Sequence, residues 1–286
     1  MGYAGFYINL DRRPDRAAEI EAELSRYGVL QNYRRFPAAD GNALGFSNPH
    51  LAEGEMGCFT SHYLLLKQNL EQTQTLHILE DDVLFAPQTA AVINGVIDQD
   101  LFAGCDIVYT DVYVPLQNTA YKIYKELYDQ TVTRSADGAL STTSFTILAL
   151  AGLPFGSTSS YLVNKHSIQK LHDLYEKEIA SAPRQPNDLF IRRLSDEGAL
   201  KVGCLFPFVT SVQLDHILES DIKRNYQEMS ALAAHLGRYS FFIGMDSGKC
   251  QKYIEKLMPA GLPSDSHSLL LQKLMGFSLT DKYKRL

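Results

Sequence analysis

The sequence predicts an α/β protein built on one open sheet flanked by helices, and three observations carry that reading. The chain opens on an apolar run, Phe6 to Leu10, followed at once by a helical stretch from Asp11 to Gly28. A second apolar run, Leu76-His77-Ile78-Leu79, ends in three consecutive acids, Glu80-Asp81-Asp82. The same design recurs at Asp106-Ile107-Val108-Tyr109, which leads into Thr110-Asp111. Short apolar runs that end in polar groups read as buried strands whose last residues emerge at a sheet edge. Ligands of open α/β sheets bind just beyond the carboxyl ends of such strands.

Each element follows from local signals. In the first helix, Pro14 suits the opening turn, Asp15 the positive end and Gly28 the C-terminal cap. Ile20, Leu24 and Tyr27 share a face at spacings of four and three. Tyr33 to Ala38 reads as a second strand, ending at Asp40-Gly41. A loop rich in Gly, Asn and Pro runs to Glu53. Glu53-Gly54-Glu55-Met56-Gly57-Cys58 then leads into a helix, with Ser61 and His62 expected in its first turns and the glycines allowing close backbone approach. Val112 to Ser144 is polar and Tyr-rich and reads as hairpin or loop. Strand character resumes from Phe145 to Leu150. Gly156 to Ser160 is a hydroxyl-rich bend before a strand at Tyr161-Leu162-Val163. A helix is expected from His166 to Ile179. Another follows Pro186, with Asn187 as its N-cap and Asp188 in its first turn. Lys201 to Phe206 is the last core strand. From Arg224 the pattern is helical, so residues 1–222 read as the main domain and 223–286 as a helical extension packed on it.

Totals exclude several classes. At 286 residues, 45% hydrophobic and 21% charged, the chain can bury a sizeable core. A net charge of −6 argues against a nucleic-acid partner held by its phosphates. The four cysteines, Cys58, Cys105, Cys204 and Cys250, show no C-x-x-C spacing and read as reduced core residues of a cytoplasmic protein. Asn9, Asp11, Arg12 and Arg13 interrupt any apolar signal-peptide segment, and no stretch approaches a membrane span. Basic residues near the end, Lys282, Lys284 and Arg285, allow weak peripheral contact with an anionic membrane, although packing on the main domain explains that segment more simply.

The acid triplet carries the chemistry. Three carboxylates at one strand tip repel one another and lose hydration, so a positive group belongs among them. A hard divalent cation with oxygen ligands, Mg²⁺ or Mn²⁺, satisfies that need and also holds phosphate. The strand–turn–helix junction at Asn9 to Arg16 is of the kind that binds phosphate or nucleotide. The plain alternatives are a solvated turn, a solvated basic first turn and a hydrogen-bonding structural His62.

The ordered set of motifs resembles glycosyltransferase family 25, the family of bacterial lipopolysaccharide and procollagen galactosyltransferases. The pieces are Ile8-Asn9-Leu10-Asp11-Arg12-Arg13 with Asp15-Arg16, Gly54-Glu55-Met56-Gly57-Cys58 with Ser61-His62, and Ile78-Leu79-Glu80-Asp81-Asp82-Val83. Tyr161-Leu162-Val163, Pro186-Asn187-Asp188 and Ser220-Asp221-Ile222 extend the likeness over residues 3 to 222. The resemblance implies a GT-A-like fold, a Rossmann-type mixed sheet between helices, and inverting transfer of a hexose from UDP-galactose or UDP-glucose to an oligosaccharide or lipid-linked glycan. It makes Glu80, Asp81 and Asp82 the metal motif, with Asp82 the direct ligand and Asp81 or Glu80 assisting. Asn9, Leu10, Asp11 and Arg12 are expected to line the uridine and phosphate pocket, Ser61 and His62 to shape it, and Asp40 to contact the nucleotide. Inversion requires a carboxylate base opposite the leaving group. Asp188 is the first candidate and Asp111 the reserve, while Asp215 or His216 could add a metal ligand. Arg16 is expected to serve packing or salt bridging. Two other readings use the same residues: a metal-dependent nucleotidyltransferase or phosphohydrolase acting on nucleotide sugars, and a non-catalytic sugar-binding module.

Overall fold

A computed structural model describes residues 2–43, 48–98, 102, 104–113, 145–213, 235, 237–239, 241–246 and 248–249, and the backbone alone at 132–134 and 140–142. Seven strands form the main sheet in the order β2-β1-β3-β9-β5-β10-β8. They are β1 (Tyr3–Asn9), β2 (Tyr33–Pro37), β3 (Thr75–Glu80), β5 (Ile107–Tyr109), β8 (Thr146–Ala149), β9 (Ser160–Val163) and β10 (Val202–Phe206). β1 is parallel to β2 and β3, and β5 to β10, whereas β9 and β8 run antiparallel to their neighbours. Two small ribbons accompany it: β4 (Val83–Phe85) with β11 (Thr210–Val212), and β6 (Val132–Arg134) with β7 (Leu140–Thr142). The hairpin expected between Val112 and Ser144 is thus present where that stretch is described.

Both faces of the sheet are buried, and the period of two along each strand divides the side chains. Ile8, Ile78, Tyr109, Tyr161 and Cys204 enter one core with α2 (Glu53–Gln68), α4 (Ile168–Ala180) and α5 (Asn187–Asp196). Tyr7, Leu79, Val108, Leu162 and Leu205 enter the other, with α1 (Pro14–Arg26) and α3 (Thr89–Asp98). The alternation also sets the chemistry. Because β9 opposes both β3 and β5, its first residue shares a sheet edge with the last residues of those strands. Glu80, Asp111 and the bend at Gly156 to Ser159 therefore meet at one edge.

Two expectations need correction. Helix α2 begins at Glu53, before the glycines, and Ser61 and His62 sit in its middle rather than its first turns. The glycines act inside the helix instead. A Cβ on Gly57 would stand 2.7 Å from the Ala39 carbonyl and 2.8 Å from the Gly41 nitrogen. The loop after β2 lies directly on the helix, and Ser61 Oγ ties it there by accepting the Ala39 N–H at 2.9 Å while donating to the Gly57 carbonyl. Gly57→Ala is expected to cost about 1–3 kcal/mol, as overpacking against backbone does; urea unfolding measures it. Second, Asn187 is not the N-cap of α5. Pro186 holds that place, and the Asn187 side chain accepts the Tyr175 hydroxyl.

Residues 235–249, where described, lie against the main sheet: Phe242 bridges Phe208, and Arg238 enters the sheet edge. The rest of the predicted helical extension falls outside the described residues, as do Asp215 and His216 of the main domain. No helix among the described residues is long and apolar enough to cross a membrane.

Candidate active site

A cavity of about 400 Å³ opens at the carboxyl ends of β1, β2 and β3. Its walls include Leu10, Arg12, Arg16, Asp40, Cys58, Ser61, His62 and all three acids of the triplet. The expected pocket residues Leu10, Arg12, Asp40, Ser61 and His62 are thus brought together. Asn9 and Asp11 are not on the wall. Asn9 is buried behind it and donates to Asp81 Oδ2 at 2.7 Å, while its Oδ1 accepts from Arg35. Asp11 points outward and pairs with Arg35 at 2.6 Å. Arg12 leans toward Asp40, its Nε 3.5 Å from Oδ2.

The three acids differ in their surroundings. Asp81 is committed to the protein: Asn9 holds one oxygen and the Arg16 guanidinium stands 3.4 Å from the other. Burial pushes its carboxyl up, with the Asn9 hydrogen bond and the Arg16 charge pulling the other way. This is the salt-bridging role expected of Arg16, and it occupies both Asp81 oxygens. Glu80 accepts the Thr158 hydroxyl at 2.8 Å and has His62 Nε2 at 3.6 Å. Asp82 is different. Its Oδ1 is buried with no hydrogen-bond partner, and burial with the Glu80 and Asp81 charges pushes its carboxyl up to about 7. The backbone there is fixed, because Gln213 N–H donates to the Asp82 carbonyl at 2.8 Å beside the β4–β11 ribbon.

An unsatisfied buried carboxylate oxygen among like charges is a costly arrangement unless a cation completes it. The oxygen donor set suits a hard divalent ion, so the residues present fit Mn²⁺ or Mg²⁺, which Asp82 and Glu80 would hold.

The two base candidates stand apart from this wall. Asp188, in the first turn of α5, is partly buried. Its Oδ2 accepts the Ser157 N–H at 3.0 Å and its Oδ1 the Leu189 N–H. Ser157 holds a left-handed φ of 76°. A Cβ on Gly156 would meet Asp188 Oδ2 at 2.9 Å, so this approach needs glycine. Since Thr158 then reaches Glu80, the hydroxyl-rich bend joins Asp188 to the acid cluster through two hydrogen bonds. Asp111 is fully buried. It accepts from Thr210, Ser159 and Arg238, which leaves it no exposed edge for an acceptor.

A buried polar chain crosses the sheet behind the site. Tyr33 bonds His77 Nδ1 at 2.7 Å, His77 Nε2 bonds Ser160, Ser160 bonds Thr110, Thr110 bonds Thr210, and Thr210 donates to Asp111. The carboxylate accepts only, so Thr210 donates to it, while Tyr33 also donates to the Tyr3 hydroxyl and Thr110 to the Ser160 carbonyl. Burial lowers His77 to about 3, which keeps it neutral. Linked hydrogen bonds of this kind polarise one another and stiffen the edge that carries the acids.

Sequence reasoning missed Cys58, Tyr161 and Arg238 as site residues. Cys58 read as core, yet it is partly buried on the cavity wall, and its four-residue spacing from His62 was the available signal.

A solved glycosyltransferase involved in the glycosylation of the major capsid of PBCV-1 overlaps 61% of this chain and 65% of its own, at 13% identity and a TM-score of 0.33. A glycosyltransferase 25 family member of Aedes aegypti is 30% identical over 130 residues, 38% of this chain and 21% of that protein. The Drosophila melanogaster member is 34% identical over 101 residues, 29% and 16%. The chain therefore matches about a fifth of the length of these curated relatives. The family model described as glycosyltransferase family 25 (LPS biosynthesis protein) matches residues 4–191, and the chain belongs to that family.

Proposed function

We propose that the protein is a metal-dependent hexosyltransferase. It moves galactose or glucose from the UDP-sugar to an oligosaccharide or lipid-linked glycan of the lipopolysaccharide or capsule type, with inversion, at the cytoplasmic side of a membrane. The observation that carries this reading is the partnerless Asp82 oxygen in the wall of a strand-end cavity that also presents Arg12 and Arg16. A divalent cation held there supplies charge to the diphosphate and to the leaving UDP.

The chain's own residues do the rest. Asp82 holds the cation, and Glu80 lies beside it, fixed by Thr158. Arg16 and Asn9 hold Asp81 in place beside the cation, without ligation. Arg12 and Asp40 face the nucleotide. Asp188 receives the proton of the acceptor hydroxyl as that oxygen bonds the anomeric carbon and the bond to UDP breaks on the opposite face. The buried Asp111–Arg238 pair braces the bend instead of acting as base.

A thermal-shift series of UDP-sugars with and without Mn²⁺ tests the donor. The correct donor with metal is expected to raise the melting temperature most, because a ligand that binds only the native state stabilises by mass action. Product analysis then separates chemistry. Glycan plus UDP supports transfer, sugar phosphate plus UMP means a phosphohydrolase or nucleotidyltransferase, and binding without turnover means a sugar-binding module. Asp188→Asn is expected to lower kcat about 10²-fold or more with donor affinity unchanged, the usual worth of a general base. A wild-type kcat would remove Asp188 from the role.

A further inference from the structure

Cys58, His62 and Glu80 form a second cluster in the same cavity wall. Cys58 and His62 stand four residues apart on one face of α2, and Glu80 meets them from the end of β3. Their Sγ, imidazole nitrogen and carboxylate oxygen all lie within 4.8 Å of one another. His62 Nε2 is 3.6 Å from Glu80 Oε1, and Cys58 Sγ is 4.0 Å from the same oxygen. Tetrahedral zinc with thiolate, imidazole and carboxylate ligands sets its donor atoms about 3.4–3.6 Å apart. The His62–Glu80 distance already matches, and the Cys58–Glu80 distance is about half an ångström longer, a gap that side-chain torsions close.

A second observation points the same way. His62 is fully buried, yet its Nε2 has no hydrogen-bond partner. Its other nitrogen, Nδ1, bonds the Tyr161 hydroxyl at 2.7 Å, and the two rings stack at 5.6 Å. The Tyr161 hydroxyl serves as donor or acceptor toward Nδ1, and the tautomer in which it accepts is the one a metal selects. An imidazole protonated at Nδ1 presents the Nε2 lone pair to Cys58 and Glu80. A hydrogen bond of this kind to the far nitrogen orients metal-binding histidines. Glu80 is oriented in its turn by Thr158.

We propose that Cys58, His62 and Glu80 bind a borderline-soft divalent ion of the zinc class through one thiolate, one nitrogen and one oxygen, with a fourth position open to the cavity. The mixed donor set separates it from the all-oxygen site at Asp82. As the sulfur–metal bond forms, the Cys58 proton leaves to solvent. Glu80 borders both sites, so zinc draws it away from the hard cation and antagonises Mn²⁺.

The test needs neither donor nor turnover, so it stands or falls apart from the transferase reading. Metal-free wild-type protein is titrated with Co²⁺ and followed by absorption. The expected result is a thiolate-to-cobalt charge-transfer band that saturates at one equivalent, disappears on adding Zn²⁺ and is absent in Cys58→Ala. In parallel, Cys58 alkylation by iodoacetamide is followed by peptide mass. Zn²⁺ is expected to slow it about tenfold or more, because a metal-bound thiolate is withdrawn from attack, whereas Mg²⁺ leaves it unchanged. Absence of the band, its survival in Cys58→Ala, or alkylation indifferent to Zn²⁺ overturns the site. The alkylation arm uses wild-type protein, so it decides even where Cys58→Ala does not fold.

Discussion

Asp82→Asn is expected to lower turnover about 10²-fold or more, the cost of removing one electrostatic contact to a developing charge. It is also expected to abolish the rise in melting temperature that Mn²⁺ gives the parent. The same substitution should leave the metal-free protein as stable as the parent, or more so, near pH 8. The sign follows from the raised carboxyl. An acid whose pKa is higher folded than unfolded binds more protons in the native state, so it destabilises the fold as pH rises. For Asp82 that penalty sets in above the ordinary carboxylate range and is complete above about 7. Asn has nearly the same shape and no charge, and it relieves the repulsion from Glu80 and Asp81. A structural aspartate would behave in the opposite way, losing stability on substitution. Activity and metal response measured beside urea melts therefore separate the two roles. Full activity with an unchanged Mn²⁺ shift would sink the assignment.

Why the acids were readable from sequence, and their division of labour was not, has a physical explanation. An apolar run ending in Glu80-Asp81-Asp82 is a local pattern, and parallel pairing of β1 and β3 carries that pattern to the sheet edge. The same holds for α1, where Pro14 and Gly28 mark the ends, and for β5 with Asp111 beyond it. Which acid is satisfied depends on partners far along the chain. Asn9 and Arg16 take Asp81 from 72 and 65 residues away, and Thr158 takes Glu80 from 78. No periodicity encodes those pairings. The placement of α2 was misjudged for a related reason. Gly54 and Gly57 read as a loop before the helix because glycine weakens helices, yet packing against Ala39 and Gly41 needs the bare backbone inside it. Arg238 left no trace in the sequence, since its meaning comes only from the buried carboxylate it meets.

That carboxylate makes Arg238 the residue on which the stability of this edge turns. Arg238 is 4% exposed and Asp111 fully buried, and the guanidinium reaches both Asp111 and Ser159. Arg238→Met keeps most of the volume and strands the Asp111 charge. Removing one partner of a buried pair costs about 3–5 kcal/mol, because the remaining charge has lost both water and its counterion. At about 2–4 °C per kcal/mol for a domain somewhat smaller than this one, the melting temperature should fall by about 10 °C. Asp111→Asn added to Arg238→Met should recover much of the loss. The amide oxygen still accepts from Thr210 and Ser159, and no bare charge remains. A single variant within about 1 kcal/mol of the parent would mean that the pair contributes little, as exposed ion pairs do. Activity gives the second readout. Ser159 and Thr158 are neighbours in the bend that reaches Glu80, so a loosened Arg238 should weaken the Mn²⁺ response even where the protein stays folded. A stability loss that leaves that response untouched would confine Arg238 to bracing the fold.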